Sequence, residues 1–169
     1  MSAPPWLHCR IDSPLGQIQL ARTDRGLCGT WFVDEQKHAP APDHFVPAQH
    51  KPDDPLLRLA AEQLQAYFTG RLQAFDLQLD LSAGTVFQQS VWQALLRMPH
   101  GTTGSYLALA TALGKPSATR AVGAAVGRNP VSIIVPCHRV LGHTGQLTGY
   151  AGGLWRKQAL LQLEGHSLF

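Results

Sequence analysis

The sequence has no long apolar run and few cysteines, and each shortage excludes a class of protein. No apolar stretch approaches the roughly 20 residues that a membrane-spanning helix needs, so we expect no membrane span. The first ten residues lack the basic head and apolar stretch of a secretion signal, so we expect a cytoplasmic protein. The three cysteines, Cys9, Cys28 and Cys137, are odd in number and widely spaced, which favours free thiols in a reducing compartment.

Acidic residues are scarce in the second half of the chain. Residues 81–169 contain seven Lys and Arg and one acid, Glu164, for a net charge of +6, whereas residues 1–80 contain seven Lys and Arg and ten Asp and Glu, for a net charge of −3. A half so poor in carboxylates attracts polyanions such as nucleic acid. Moderately basic domains are also common for reasons of solubility, so the charge needs support from motifs.

The first half predicts a small α/β unit. Short apolar runs between turn residues predict an antiparallel meander over residues 6–33. A helix is predicted at about 54–69, with Asp53 or Asp54 as its N-cap and Pro55 in its first position. The alternation of apolar residues over 73–81 predicts a further strand.

Residues 82–84 mark the predicted boundary between two domains, because the charge changes sign there. We therefore expect an N-terminal α/β domain over 1–82 and a C-terminal helical domain over 83–169, which together make an α+β fold. Apolar spacing predicts helices at 87–98, 106–113, 118–126 and 155–163, the first two capped by Thr85 and Ser105. The middle pair, separated by a turn, is typical of a helix-turn-helix, although many core helix pairs look the same.

The residues around Cys137 favour nucleophilic chemistry. A β-branched run at 133–135 predicts a buried strand, and Pro136 then fixes the backbone before the cysteine. His138 and Arg139 follow directly, and a basic, His-bearing neighbourhood favours the thiolate, which is the nucleophilic form. An inert core cysteine is the common alternative.

Glu164 is the acid best placed to assist His138. It lies at the end of the last predicted helix, where a carboxylate could orient the imidazole and stabilise its charged form, which is the role of the third member in nucleophilic triads. The spacing alone leaves open that Glu164 is a solvated helix end.

This region resembles the active-site signature of the O6-alkylguanine-DNA alkyltransferase family, in the segments 128–130 and Pro136-Cys137-His138-Arg139-Val140. The likeness continues in order and with matching spacing through 84–88, 120–124, 148–153 and 163–165, which is about half of the chain. A weaker likeness in the first half centres on residues 13–16. Several motifs in register are far more specific than one pattern match.

The resemblance implies a fold and a role for each matching residue. The fold is a ribonuclease H-like N-terminal domain followed by a winged-helix-like domain with a helix-turn-helix. Cys137 matches the alkyl acceptor, His138 the base that acts through a water, and Glu164 the carboxylate that orients it. Asn129 matches the residue that shapes the turn before the cysteine, and Tyr106 the tyrosine that crowds a phosphate and donates toward the base.

The resemblance also implies a DNA surface and a base pocket. Arg120 matches the arginine that replaces the extruded base in the stack. The expected DNA-binding residues are Arg120, Tyr106, Ala121, Gly123 and Arg128. The expected pocket residues are Tyr150, Val140 and Ala151.

The function implied is DNA repair by irreversible, once-only alkyl transfer from O6-alkylguanine in double-stranded DNA to Cys137. Transfer from O4-alkylthymine, the preferred alkyl group and cooperative assembly on DNA stay open, and we expect a monomer that needs no cofactor. Some family members bind zinc in the first domain. Cys9 and Cys28 do not fall on that pattern, and the nearby His38, His44 and His50 lie in a loop, so we expect no metal.

Two other classes of function compete with this interpretation. A cysteine hydrolase using Cys137 would need an oxyanion hole and would turn over repeatedly. A non-catalytic lesion-binding protein of the same fold would lack the reactive cysteine, which is present here.

Overall fold

The computed structural model describes residues 5–166, and its N-terminal part is a three-stranded antiparallel sheet. The strands pair in the order β1, β2, β3 and are β1 (Leu7–Ile11), β2 (Ile18–Thr23) and β3 (Gly26–Phe32). This confirms the predicted meander.

Helix α1 (Pro55–Phe68) packs against this sheet. Asp54 is its N-cap and accepts hydrogen bonds from the backbone N–H groups of Leu56 and Leu57 at 3.1 and 3.0 Å. Pro55 fills the first position, where no backbone donor is needed. The apolar face of α1 is buried in the core, including Leu57, Ala60, Leu64 and Tyr67.

The predicted strand at 73–81 is wrong. The segment is extended, but its pairing is one isolated bridge between Leu79 and Leu27. Leu27 donates to the Gln78 carbonyl at 2.9 Å and accepts from the Asp80 N–H at 2.8 Å. Alternate apolar side chains pack on the core without a continuous ladder, so the period of two reflects an extended chain rather than a sheet strand.

The C-terminal part is helical, as predicted. Its helices are α2 (Val86–Leu96), α3 (Tyr106–Ala112), α4 (Thr119–Gly127) and α5 (Leu154–Leu163). Thr85 and Gln88 form a reciprocal capping box on α2, and the Ser105 hydroxyl caps α3. A 3-10 turn, Pro116–Ala118, separates α3 from α4. The α+β fold class is thus confirmed.

The predicted strand at 133–135 is also wrong, because this segment turns back on itself. Ile133 has a positive φ of 76°, and the Val135 N–H donates to the Val131 carbonyl at 2.9 Å. Two short parallel strands flank the region, β4 (Gly104–Ser105) and β5 (Val140–Leu141). Within residues 5–166, no helix has both the length and the apolar character needed to span a bilayer.

The two parts share backbone contacts next to the segment that leads to Cys137. The Thr30 N–H in β3 donates to the Pro130 carbonyl at 2.9 Å, and the Thr30 hydroxyl donates to the Ser132 carbonyl at 2.7 Å. The buried Arg156 of α5 reaches the Leu15 carbonyl at 2.9 Å. The N-terminal sheet therefore supports the turn that presents the cysteine.

Candidate active site

A side-chain amide organises the turn before Cys137. Asn129 Nδ2 donates to the Val135 carbonyl at 2.8 Å, and Asn129 Oδ1 accepts from the Val131 N–H at 2.9 Å. Both atoms of this buried amide are therefore used to close the loop between residues 131 and 135. The left-handed conformation of Ile133 is unusual for a β-branched residue and costs about 1–3 kcal/mol. The two Asn129 hydrogen bonds help to hold Ile133 in this conformation.

Cys137 begins a 3-10 turn, Cys137–Arg139, and lines an open pocket of about 600 Å³. The pocket lies between the loop at 148–151 and one side of α4 along its whole length, with contributions from residues 37–38 of the first part of the chain. The thiol-bearing residue is 6% exposed. A reactive atom at a nearly dry position beside a pocket can act on a ligand that fills the pocket.

The pocket gathers many of the residues predicted from the sequence. Those that line it with Cys137 are Tyr106, Arg120, Gly123, Arg128, Tyr150 and Ala151. Gly123 lies against the Tyr106 ring, since a Cβ there would be in ordinary van der Waals contact with Tyr106 Cδ1 at 3.7 Å. Arg120 and Arg128 are exposed on and just after α4.

Other predicted residues lie elsewhere. Val140 is fully buried in β5, and Ala121 is exposed on α4; neither is among the residues that line the pocket. Asn129, His138 and Glu164 are buried behind the wall that carries Cys137.

A buried network of hydrogen bonds lies behind Cys137 and centres on Glu164. Its Oε2 lies 2.6 Å from His138 Nε2 and accepts from the Tyr67 hydroxyl at 2.6 Å. Arg139 donates from Nε to Oε1 at 2.7 Å and from Nη2 to Oε2 at 3.1 Å. These donors hold the pKa of Glu164 well below its usual range despite burial. The solvated helix end is therefore ruled out for Glu164, which is 6% exposed.

The ionised carboxylate assigns the His138 tautomer. Because a carboxylate oxygen only accepts, the facing Nε2 carries the proton, and in a neutral ring Nδ1 is then the basic nitrogen. Burial lowers the pKa of His138 in spite of Glu164, which favours the neutral ring. Nδ1 is buried and has no partner among the described residues. The geometry therefore leaves one lone pair free to take a proton.

Burial acts against the thiolate that the basic neighbours of Cys137 are predicted to favour. It raises the pKa of the Cys137 thiol, while the Asn129 amide and the charge of Lys157 act in the opposite direction. Burial therefore favours the neutral form of both Cys137 and His138. Burial also raises the pKa of Cys9 to about 11 and of Cys28 to about 12, which makes these two thiols poor nucleophiles.

Both parts of the chain match a known family. Residues 8–81 match the 6-O-methylguanine DNA methyltransferase, ribonuclease-like domain, and residues 86–166 match the 6-O-methylguanine DNA methyltransferase, DNA binding domain. The methylated-DNA–protein-cysteine methyltransferase of Mycobacterium bovis is 50% identical over 94% of this chain and 92% of its own length. This chain belongs to the methylated-DNA–protein-cysteine methyltransferase family. The resemblance stated from the active-site motifs is thus confirmed.

Further relatives of this methyltransferase agree. The family member of Methanosarcina barkeri is 48% identical, over 94% of this chain and 96% of its own. The crystal structure of Mycobacterium tuberculosis OGT in complex with DNA superposes with a TM-score of 0.82 at 47% identity, covering 93% of this chain and 91% of that one.

Two buried residues of the methyltransferase site were missed from the sequence. Lys157 in α5 is fully buried, and its Nζ donates to the Thr148 carbonyl at 3.0 Å and the Gly149 carbonyl at 3.4 Å. It therefore ties α5 to the loop that lines the pocket. Tyr67 lies on the buried face of α1, and its spacing from Glu164 in the sequence carries no signal of their contact.

Proposed function

We propose that this methyltransferase repairs DNA by moving the alkyl group of O6-alkylguanine to Sγ of Cys137. The observation that carries the proposal is that Cys137, unlike Cys9 and Cys28, lines the pocket, and that the next residue, His138, has a ring nitrogen with no hydrogen-bond partner among the described residues. An S–C bond forms as the bond between O6 and the alkyl carbon breaks. The thiol proton passes through a water molecule to His138 Nδ1, and Tyr106 supplies a proton to the leaving guanine.

The DNA partner is inferred from the charge and from the pocket. Arg120 and Arg128 stand exposed at the pocket rim in a half of the chain with a net charge of +6, which suits phosphate contacts. The Mycobacterium tuberculosis relative is described in complex with DNA. The target base must leave the duplex to reach a nearly buried thiol, and Arg120 fills the space that it vacates. Tyr150 offers its ring to the flipped base.

We propose that the two parts of the chain have different roles. Residues 83–169 carry the DNA surface and the acceptor, and residues 1–82 support them through contacts such as Thr30 to Ser132. The thioether product has no ready route back to the thiol, so each molecule acts once. We propose that it acts as a monomer. We propose the same chemistry for O4-alkylthymine, which presents an equivalent alkylated oxygen.

A burst experiment tests the proposal. An excess of a duplex with one radiolabelled O6-methylguanine is mixed with the protein, and both the loss of label from the DNA and its appearance on the protein are followed with time. The proposal requires a burst equal to the amount of protein, followed by no further transfer. Continued turnover beyond one equivalent would rule it out and favour a hydrolase.

A further inference from the structure

We propose that Tyr67 is a positioning residue for alkyl transfer, which holds the Glu164 carboxylate in the orientation that binds His138. The inference rests on the proposed role of Cys137. It adds a residue of the N-terminal half of the chain to a hydrogen-bond network whose other members, His138, Arg139 and Glu164, lie in the C-terminal half.

The contacts of Glu164 come from two separate parts of the core. His138 and Arg139 both come from the 3-10 turn that carries Cys137, and Arg139 also donates from Nη1 to the Met98 carbonyl at 2.6 Å. Tyr67 reaches the same Oε2 from α1, 97 residues away in the chain, at 2.6 Å. Its hydrogen bond therefore fixes the carboxylate relative to the rest of the core.

Tyr67 is itself held firmly. It is 1% exposed and lies in the last turn of α1. Its ring centroid lies 5.4 Å from that of Phe75 and 6.2 Å from that of His100. Burial and the nearby charge of Glu164 raise the pKa of Tyr67, so its hydroxyl keeps the proton and acts as a donor. A rigid ring with a permanent donor suits the fixing of a charged acceptor.

The hydroxyl also adjusts how strongly Glu164 holds a proton on His138. Tyr67 and His138 share one oxygen, so the tyrosine neutralises part of the charge that would otherwise stabilise the imidazolium. The other titratable or charged groups near this pair are Arg139, Lys157, Cys137, Tyr150 and His100. None of these is removed by changing the tyrosine to phenylalanine.

Tyr67→Phe tests the proposal, with Phe75→Leu as the matched control. Phe75 packs on the same ring but makes no contact with Glu164 among the hydrogen bonds of the described residues. Two quantities are measured on the full chain: the titration of His138 by NMR in the free protein, and the pH dependence of methyl transfer from a duplex. Thermal melting of each variant shows whether it is folded.

In Tyr67→Phe, we expect the His138 titration and the inflection of the rate profile to move to higher pH by roughly half to one unit. We expect the plateau rate to fall several-fold while duplex affinity is unchanged. Phe75→Leu should lower the melting temperature but leave both pH values in place. The proposal would be overturned if folded Tyr67→Phe kept the wild-type His138 titration and rate inflection. It would also be overturned if Phe75→Leu shifted both to the same extent as Tyr67→Phe. Absence of transfer by the wild-type protein would instead overturn the proposed function.

Discussion

His138 Nε2 lies 2.6 Å from Glu164 Oε2, and both side chains are fully buried. This contact converts a residue beside the cysteine in sequence into a base with a defined tautomer. The chain turns in a 3-10 conformation at 137–139, so successive side chains are rotated by about a third of a turn around the helix axis. Cys137 thereby lines the pocket while His138 points into the core toward the carboxylate.

Replacing Glu164 by Gln should slow methyl transfer by on the order of 10²-fold, because an amide stabilises the imidazolium far less than a carboxylate. Duplex affinity should change little, since Glu164 is not among the pocket residues. Loss of a buried partner of Arg139 should also lower the free energy of unfolding by about 3–5 kcal/mol. The exposed Glu62→Gln is the control. A wild-type pH–rate profile in Glu164→Gln would contradict the assigned role.

The difference in free energy of unfolding between wild type and Glu164→Gln should depend on pH. The pKa of Glu164 is lowered in the folded protein, so its contribution is present above the unfolded value of about 4.3 and is lost as pH falls toward the folded value. Urea unfolding of wild type and Glu164→Gln should therefore converge in acid. A constant difference between them at all pH values would contradict this.

Lys157→Met should reduce the reactivity of Cys137. The charge of Lys157 lowers the pKa of the Cys137 thiol against the effect of burial, so its removal makes the thiolate harder to form. The alkylation rate of Cys137 by iodoacetamide at pH 8, read by mass spectrometry, should fall several-fold. Lys115→Met removes an exposed lysine as a control. Equal rates for all three proteins would show that Lys157 serves only to anchor the loop at 148–149.

Lys157 should also give wild type a stability change at high pH. Burial lowers its pKa from 10.5 to about 8. Between these two values the unfolded chain binds more protons than the folded one, so this group makes stability rise with pH. Comparing urea unfolding of wild type and Lys157→Met between pH 8 and 10.5 isolates the effect. The difference in free energy of unfolding between the two proteins should change across this pH range. A constant difference would contradict a Lys157 pKa lowered by burial.

Arg120→Ala should separate base flipping from general DNA binding. If Arg120 fills the space left by the base, its loss destabilises the flipped state in a duplex, which costs a few kcal/mol to form. Transfer from duplex O6-methylguanine should slow strongly, transfer from a mismatched or single-stranded substrate should slow less, and reaction with free O6-benzylguanine should stay near wild type. Arg128→Ala, at the same pocket rim, is the comparison. Equal losses on duplex and free base would remove the flipping role.

The starts of the helices could be predicted from the sequence because nearby capping residues determine where each helix begins. Asp54 with Pro55, Thr85 with Gln88, and Ser105 satisfy backbone donors at the first turn. Such caps depend on residues three apart, so no tertiary information is needed.

The two wrongly predicted strands and the missed site residues depend on contacts that the pattern of apolar residues does not report. The β-branched run at 133–135 favours extended structure locally, but Asn129 closes it into a turn through hydrogen bonds to both of its ends. The alternation at 73–81 reflects packing on a core without a neighbouring ladder. Lys157 has polar partners only because the loop at 148–149 folds over it. The Asn129 contacts span only two and six residues, but the pattern of apolar residues does not report them.

The mass of the intact protein after incubation with a duplex that contains O6-methylguanine tests the central claim most directly. We expect wild type to gain one methyl group, which peptide mapping locates on Cys137. Cys137→Ala should gain none and still bind the duplex, because phosphate contacts and nucleophile reside on different residues. A methyl group on Cys9 or Cys28, or its appearance on Cys137→Ala, would contradict the account.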